Sequence, residues 1–493
     1  MKVSCFIPDI EYQKIIPEFN KRWSEKYVFI MHSILYQQIR GKQSFSDYAN
    51  LDSRLMIKYI GTGYYKAVLN QLTNSGIIQP YIENGKVHYS RRESKSKAYR
   101  INPLIIDNTR IKAVTIKKQT YARKITNVRI QTVKEAIKLN ENIKHEFLML
   151  TYRKIKVQEA TNYVKTNYEE NTPQYKNRMW AIKEFNEMHK ASFERGKENI
   201  DFHFSYNKGR VYSPASMLPR DLEKFTYFIG YENERSISLD LPNSQLCFFD
   251  RLLKSTDFYE KQPSNTIQIK DSEDLKQEKS EHIGSSTSKE IGNRSNRPRN
   301  EKNNTPTIHY SLCVRNCNQQ NTWQSYIYKG LGYEIMMKLA LWNNKDSNHT
   351  KQERQEFKEI FFGNLFYNAY FENSLTHLEK TFLANFPDEA NALREAKKIV
   401  GNKRKTNQKA DGTTSIQIGG SNLAVYVQKL EGKFFHDICV NYIKTNYKDI
   451  PFTIKHDSIT LPESCASFLT SELNILIHDF FNTNELNFKC EEL

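Results

Sequence analysis

The chain has 493 residues, enough for two to four domains at about 100–200 residues each. A 38% hydrophobic content, a mean hydropathy of −0.71 and no apolar run near the roughly 18 residues that span a bilayer exclude a membrane protein. The 73 Lys and Arg outnumber 56 Asp and Glu, and this +17 balance favours polyanionic partners, nucleic acid first among them. The stretch Met1–Asp9 lacks the sustained apolar segment of a signal peptide, and the seven cysteines follow no framework spacing. The expectation is a cytoplasmic protein with reduced thiols.

In chain order, residues 1–22 form an N-terminal segment and 23–105 a winged-helix-like module. The periodicity predicts helices over Tyr27–Arg40, Ser46–Tyr59 and Gly63–Leu72, the last stopped at Ser75-Gly76. Two β-type runs, Ile77–Ile82 and Val87–Ser90, flank Asn84-Gly85, a short hairpin signal. The basic stretch Arg91–Lys97 follows, so Lys95 and Lys97 are placed on backbone phosphates while the third helix enters a groove. Bracing of a neighbouring domain is the other use of such a module. Residues 106–200 read as a charged helical region, either a solvated bundle or a thumb-like arm on a duplex. Residues 255–306 are polar and nearly free of aromatics, a composition too poor in apolar surface to offset ordering entropy, and are expected to be a disordered insertion. Residues 201–254, 307–400 and 401–493 complete the chain, with helices near Gln352–Phe371 and Asn422–Thr445, a strand-turn-strand over Phe452–Leu461 and a last helix over Ser464–Phe480.

Two aspartates stand out. Asp240 ends the alternating run Ser-Ile-Ser-Leu-Asp, and Asp457 sits at the bend of Thr-Ile-Lys-His-Asp-Ser-Ile-Thr. Taken singly, each reads as an exposed loop acid. Paired at strand ends, they suit two magnesium ions, which take oxygen ligands and draw the rest of their shell from triphosphate and water. Arg354, Lys358, Phe362 and Phe366 recur every fourth residue and line one helix face, with Tyr367 following. The cations are placed on the β- and γ-phosphates of a nucleoside triphosphate and the rings on sugar and base; the alternative is an amphipathic helix with a buried aromatic end. Gly209-Arg210 adds a backbone that nucleic acid can approach closely and a fork of donors for phosphate or a base edge.

In this order the pieces resemble the catalytic core of family A DNA polymerases and the related phage-type and mitochondrial single-subunit RNA polymerases. Gly209-Arg210-Val211-Tyr212 resembles the motif upstream of the palm, and Asp240–Cys247, with Gln245, the metal-binding motif A. Arg354–Tyr367 is similar to the fingers helix, motif B. His456-Asp457-Ser458 resembles motif C, and Gln428 stands where the family often places a glutamine near the primer terminus. The resemblance covers about Arg210 to Leu461. It implies an α+β right-hand fold of palm, fingers and thumb, with palm parts at 201–254 and 401–493 and fingers at 307–400. It also implies two Mg2+ ions, a DNA template and nucleoside triphosphates.

Cys247 stands where the DNA enzymes carry a glutamate that blocks the ribose 2′-hydroxyl. The wider spacing of motif A and His-Asp-Ser in motif C point the same way, towards an RNA polymerase or primer-synthesising enzyme. Phe362 and the compact motif spacing match the DNA enzymes, so a DNA polymerase without proofreading is the alternative. A non-catalytic DNA-binding replication or regulatory protein, and a template-independent transferase, are readings from other classes. Asp9-Ile10-Glu11 reads as a surface acid pair, and Cys313-x-x-x-Cys317 near His309 lacks the second pair that zinc requires.

Overall fold

Val3, Cys5 and Ile7 alternate inward, the period of a half-buried strand, and the chain builds one there over Val3–Pro8. The computed structural model describes residues 3–16, 19–40, 48–83, 86–87, 97–106, 111–170, 172–192, 198–200, 202–254, 322–341, 349–369, 375–408 and 414–493. The insertion expected at 255–306, the Cys313–Cys317 pair, Lys95 and the Asn84-Gly85 turn lie outside the described residues.

Strand Val3–Pro8 pairs antiparallel with Ile111–Ile116, Val3 opposite Ile116. In sequence the two strands bracket helices Ser24–Arg40, Ser53–Ile60 and Thr62–Asn74 and a three-stranded sheet in which Lys97–Ile101 lies between Ala49–Leu51 and Ile78–Pro80. One apolar core runs from Val3 to Ile125, so the boundaries expected at 22/23 and 105/106 both fall inside it. The second helix starts at Ser53 rather than Ser46, because the Asp52 carboxylate accepts from the N–H groups of Arg54 and Leu55 and caps it. Lys97 is exposed at the start of its strand, opposite Leu51.

Helix Gln119–Leu139 serves two cores. Its first turns give Tyr121, Ala122 and Ile125 to the N-terminal core, and later turns give Ile130, Val133 and Ala136 to a second one that extends to Leu222. The core of the helical region therefore continues past the expected limit at 200, through the paired strands Ser205–Asn207 and Arg210–Tyr212, and the region is docked rather than projecting. Asn140 Nδ2 donates to Asp437 Oδ1 at 2.6 Å, Asn142 Nδ2 donates to the His436 carbonyl at 3.0 Å, and Glu146 pairs with His436. Arg153, fully buried, donates to Thr226 Oγ1 at 2.9 Å and Thr453 Oγ1 at 2.6 Å, tying this region to the sheet that carries Asp457.

That sheet is antiparallel throughout, in the order Thr453–Lys455, Ser458–Pro462, Ser236–Asp240, Lys489–Glu492. Its strands other than Lys489–Glu492 are largely buried; helix Glu463–Phe481 packs on Ser236–Asp240 and Ser458–Pro462, and helices Ser244–Lys254 and Leu423–Gly432 share the same core. Strands Asn402–Gln408 and Thr414–Ser421 pair as an antiparallel hairpin ahead of helix Leu423–Gly432. Mixed helix and antiparallel sheet are consistent with the α+β class. Among the described residues no helix is long and apolar enough to cross a membrane.

Candidate active site

Strand pairing brings the two aspartates together. Lys455 pairs with Ser458, which leaves His456 and Asp457 as a two-residue turn, with His456 in the left-handed region at φ 59° that such turns use. Ser458 in turn lies opposite Asp240, and the Leu241 N–H donates to the Asp457 carbonyl at 3.1 Å. The two carboxylates consequently share one partly dry site. Burial first, then the charges of Asp457 and Glu491, push the Asp240 carboxyl up to about 7, against the pull of Lys358 and Arg220. Asp457 is also raised by burial, opposed by Lys358, Arg210 and Lys455. Two carboxylates held close at a desolvation cost form an electrostatic site suited to a cation.

Lys358 thus acts on both aspartates. Its helix, Lys351–Phe362, starts at a capping box in which Thr350 and Glu353 satisfy each other's backbone donors. Lys358 Nζ lies 5.5 Å from the Tyr333 ring centroid, and the Arg354 guanidinium lies 5.2 Å from the same ring. Arg354, expected on a phosphate, pairs here with Glu334, both side chains being part-exposed. Tyr333, buried and 6.0 Å from the Phe362 ring, is the site residue that sequence reading missed. Nothing marks it except its place one residue before Glu334.

The four-residue stripe fails at its last member. The turn Gly363–Tyr367 is π-helical, so its register departs from the helix that precedes it. Phe366 turns into the core, 1% exposed, with its ring 4.6 Å from Phe249, and is withdrawn from base contact. Phe362 is also buried, and Tyr367 is the exposed ring of the set. Cys247 is corrected likewise. Its thiol is fully buried beside the carbonyls of Pro242 and Ile327, at 3.6 and 3.9 Å, so it does not line the site where a sugar gate would stand.

Gly209 does permit close approach, but to the protein itself. It docks on helix Leu423–Gly432, near the Gln428 carbonyl and Gly432. The adjacent Arg210 donates through Nε to Glu431 Oε2 at 3.0 Å, with a second contact from Nη2. Ser244 Oγ donates to the other Glu431 oxygen at 2.7 Å. Glu431, fully buried, therefore joins the hairpin of Arg210 to the helix that follows Asp240. This replaces the expected role of Arg210 on nucleic acid. The stretch Leu423 to Gly432 also carries Gln428 and Lys429, so nothing in the sequence marks Glu431 as its buried polar member. Gln245 and Gln428 are half-buried on the two helices that Glu431 and Ser244 join.

His456 packs its ring 5.9 Å from Tyr212. Burial, then Arg210, Lys455 and His436, push it down to about 4, so it is neutral. Beside it a cleft of about 940 Å³ is lined by Arg178, Met217, Arg220, Asp221 and Lys455. Arg178 is bidentate to Asp221 at 2.7 and 3.1 Å, and Lys455 pairs with Glu223.

Among the described residues no group of three or more His, Cys, Asp or Glu converges on a metal position. The candidate cation site rests on Asp240 and Asp457, an all-oxygen pair that fits magnesium better than zinc. Comparison with known family models, curated proteins and solved structures gives no match to this chain.

Proposed function

We propose that the chain transfers nucleotidyl groups from nucleoside triphosphates to a nucleic-acid 3′ end under direction of a DNA template. A ribonucleotide-polymerising or primer-synthesising enzyme is the first reading. The observation that supports it is the pair of half-buried carboxylates at neighbouring strand ends, both within reach of the Lys358 charge. A cation beside a carboxylate pair is what a triphosphate and its metal ions need together.

Asp240 and Asp457 would hold the two magnesium ions, which when bound supply charge neutralisation at the reacting phosphate. Lys358 offsets charge developing on the departing pyrophosphate, and Tyr333 holds the Lys358 and Arg354 side chains against its ring. The 3′-hydroxyl oxygen forms its bond to the α-phosphorus as the bridge to the β-phosphate breaks. Glu431 fixes Arg210 beside Asp457, a positioning role. The cleft beside His456, where Arg178, Arg220 and Lys455 also face Asp221, Glu491 and Glu223, is the surface we assign to a template or primer strand.

Deoxyribonucleotides are the second reading, because Cys247 is buried and the missing glutamate does not by itself open the site to a 2′-hydroxyl. The test is extension of a primed DNA template with magnesium, offering ribonucleotides and deoxyribonucleotides separately, with Asp457→Asn as blank. Extension with ribonucleotides supports the first reading, and with deoxyribonucleotides alone the second. No extension with either, while DNA binding persists, turns the conclusion to a non-catalytic DNA-binding protein.

A further inference from the structure

A second basic surface lies on the N-terminal core, away from any residue used above. A cleft of about 460 Å³ opens between helices Ser53–Ile60 and Gln119–Leu139, lined by Lys58, Arg123, Lys124, Asn127 and Gln131. It runs on towards Tyr64: a Cβ built on Gly61 would lie 3.3 Å from the Tyr64 ring and 3.5 Å from Lys124 Nζ. The Tyr64 ring is 45% exposed, with Trp23 edge-on at 5.7 Å and Lys26 Nζ 4.7 Å from its centroid. Lys118 Nζ is fixed nearby by the Arg22 carbonyl at 3.0 Å.

These cations are crowded. The Lys26 ammonium is lowered by burial and then by the charges of Lys118 and Lys124. Of the carboxylates at hand, Glu25 accepts the backbone N–H groups of Lys117 and Lys118 at 2.8 and 2.7 Å, and Glu135 lies 3.9 Å from Lys58. A merely solvated face would spread like charges apart. Here Lys58, Arg123 and Lys124 line one cleft, Lys26 and Lys118 stand near Lys124 at its Tyr64 end, and that half-exposed ring closes the row. Cations that follow a backbone, beside a ring that accepts a base of any sequence, are the elements of single-strand recognition.

We propose that this surface binds single-stranded nucleic acid, with phosphates along the Lys58–Lys124 cleft and a base stacked on Tyr64. The proposal does not depend on catalysis at Asp240 and Asp457. The test uses the full chain in EDTA, with a labelled oligo-dT of about 20 nucleotides and a duplex of equal length, read by fluorescence anisotropy across a salt series. Substituting Lys58→Glu, Lys118→Glu and Arg123→Glu together should weaken oligo-dT binding by tenfold or more. It should also flatten the salt dependence by about 2, at roughly 0.7 per phosphate contact. The charge-keeping set Lys58→Arg, Lys118→Arg, Arg123→Lys should bind as wild type. Tyr64→Ala should weaken oligo-dT binding at least about fivefold and leave the duplex unchanged. Wild-type affinity and slope in the reversed variant overturn the proposal, as does an equal loss in the charge-keeping set. An equal effect of Tyr64→Ala on strand and duplex overturns the single-strand assignment.

Discussion

A Cβ on Gly432 would stand 1.9 Å from the Gly209 carbonyl oxygen, so hairpin and helix meet backbone to backbone. Gly432→Ala cannot be absorbed by a flexible side chain and must move the hairpin. We expect a stability loss of about 1–3 kcal/mol, the usual cost of overpacking, and a larger fall in nucleotide incorporation, since Arg210 rides on that hairpin. Gly63→Ala is the control: nothing lies within 4 Å of its Cβ position, and thermal melting should stay unchanged or rise slightly.

Arg210 and Glu431 should behave as a unit. Arg210→Met alone leaves a buried carboxylate without its partner, at a cost of about 3–5 kcal/mol. The double variant Arg210→Met, Glu431→Leu should recover most of that stability and none of the incorporation. Denaturant melts and extension assays on the four members of the cycle check it; full additivity of the two single losses would contradict the coupling.

Asp457→Asn should abolish incorporation and, in EDTA, raise the melting temperature. The wild-type pair pays for its proximity when no cation is bound. Asp240 has a raised carboxyl in the folded state, so stability present at low pH is lost as pH rises from the ordinary value of 3.8 through about 7. The gain from Asn, on the order of 1 kcal/mol, should accordingly be larger at pH 8 than at pH 5. Magnesium should raise the melting temperature of wild type and leave that of the variant unmoved.

Glu146 and His436 make a buried pair between the helical region and the turn Lys433–Cys439. Burial lowers the histidine, but the Glu146 charge and hydrogen bond outweigh it, and His436 is raised above 6.5 overall. Its contribution is fully present below pH 6.5 and disappears as pH climbs through the raised value. Melts of Glu146→Gln against wild type should differ most at pH 6 and converge only as pH passes above the raised histidine value; a gap that widens with pH would refute the charged pair.

Strand ends were the most readable part of the site. Asp240 and Asp457 sit on short alternating runs whose period is visible in one dimension, whereas the strands they pair with are set by tertiary structure. The stripe from Arg354 was readable only as far as Phe362, since nothing in Gly363-Asn364-Leu365 announces a π turn that carries Phe366 inward. Strand Ala49–Leu51 has three residues, too few for a period, and strand Lys489–Glu492 is mostly exposed and charged, so neither carries an alternation signal. Glu431, Tyr333 and Glu334 were invisible for another reason: their partners are distant in sequence or set by packing of separate helices. Gly209 was recognised as a point of close approach, but what approaches it depends on tertiary structure alone.

The strand that carries Asp240 is held on one side by Ser458–Pro462 and on the other by Lys489–Glu492, both from beyond residue 450. The N-terminal core, by contrast, draws its buried residues from Val3 to Ile125, and the later ring packed on it, Trp180 against Phe6 and His32, comes from helix Pro173–Glu187. During synthesis the first body has all its partners early, while Ser236–Asp240 must wait unpaired until more than two hundred further residues have been added. Shortened products would therefore keep the N-terminal surface with Tyr64 and Lys124 yet lack the sheet that gathers the two aspartates. They would compete for nucleic acid without turning over nucleotide.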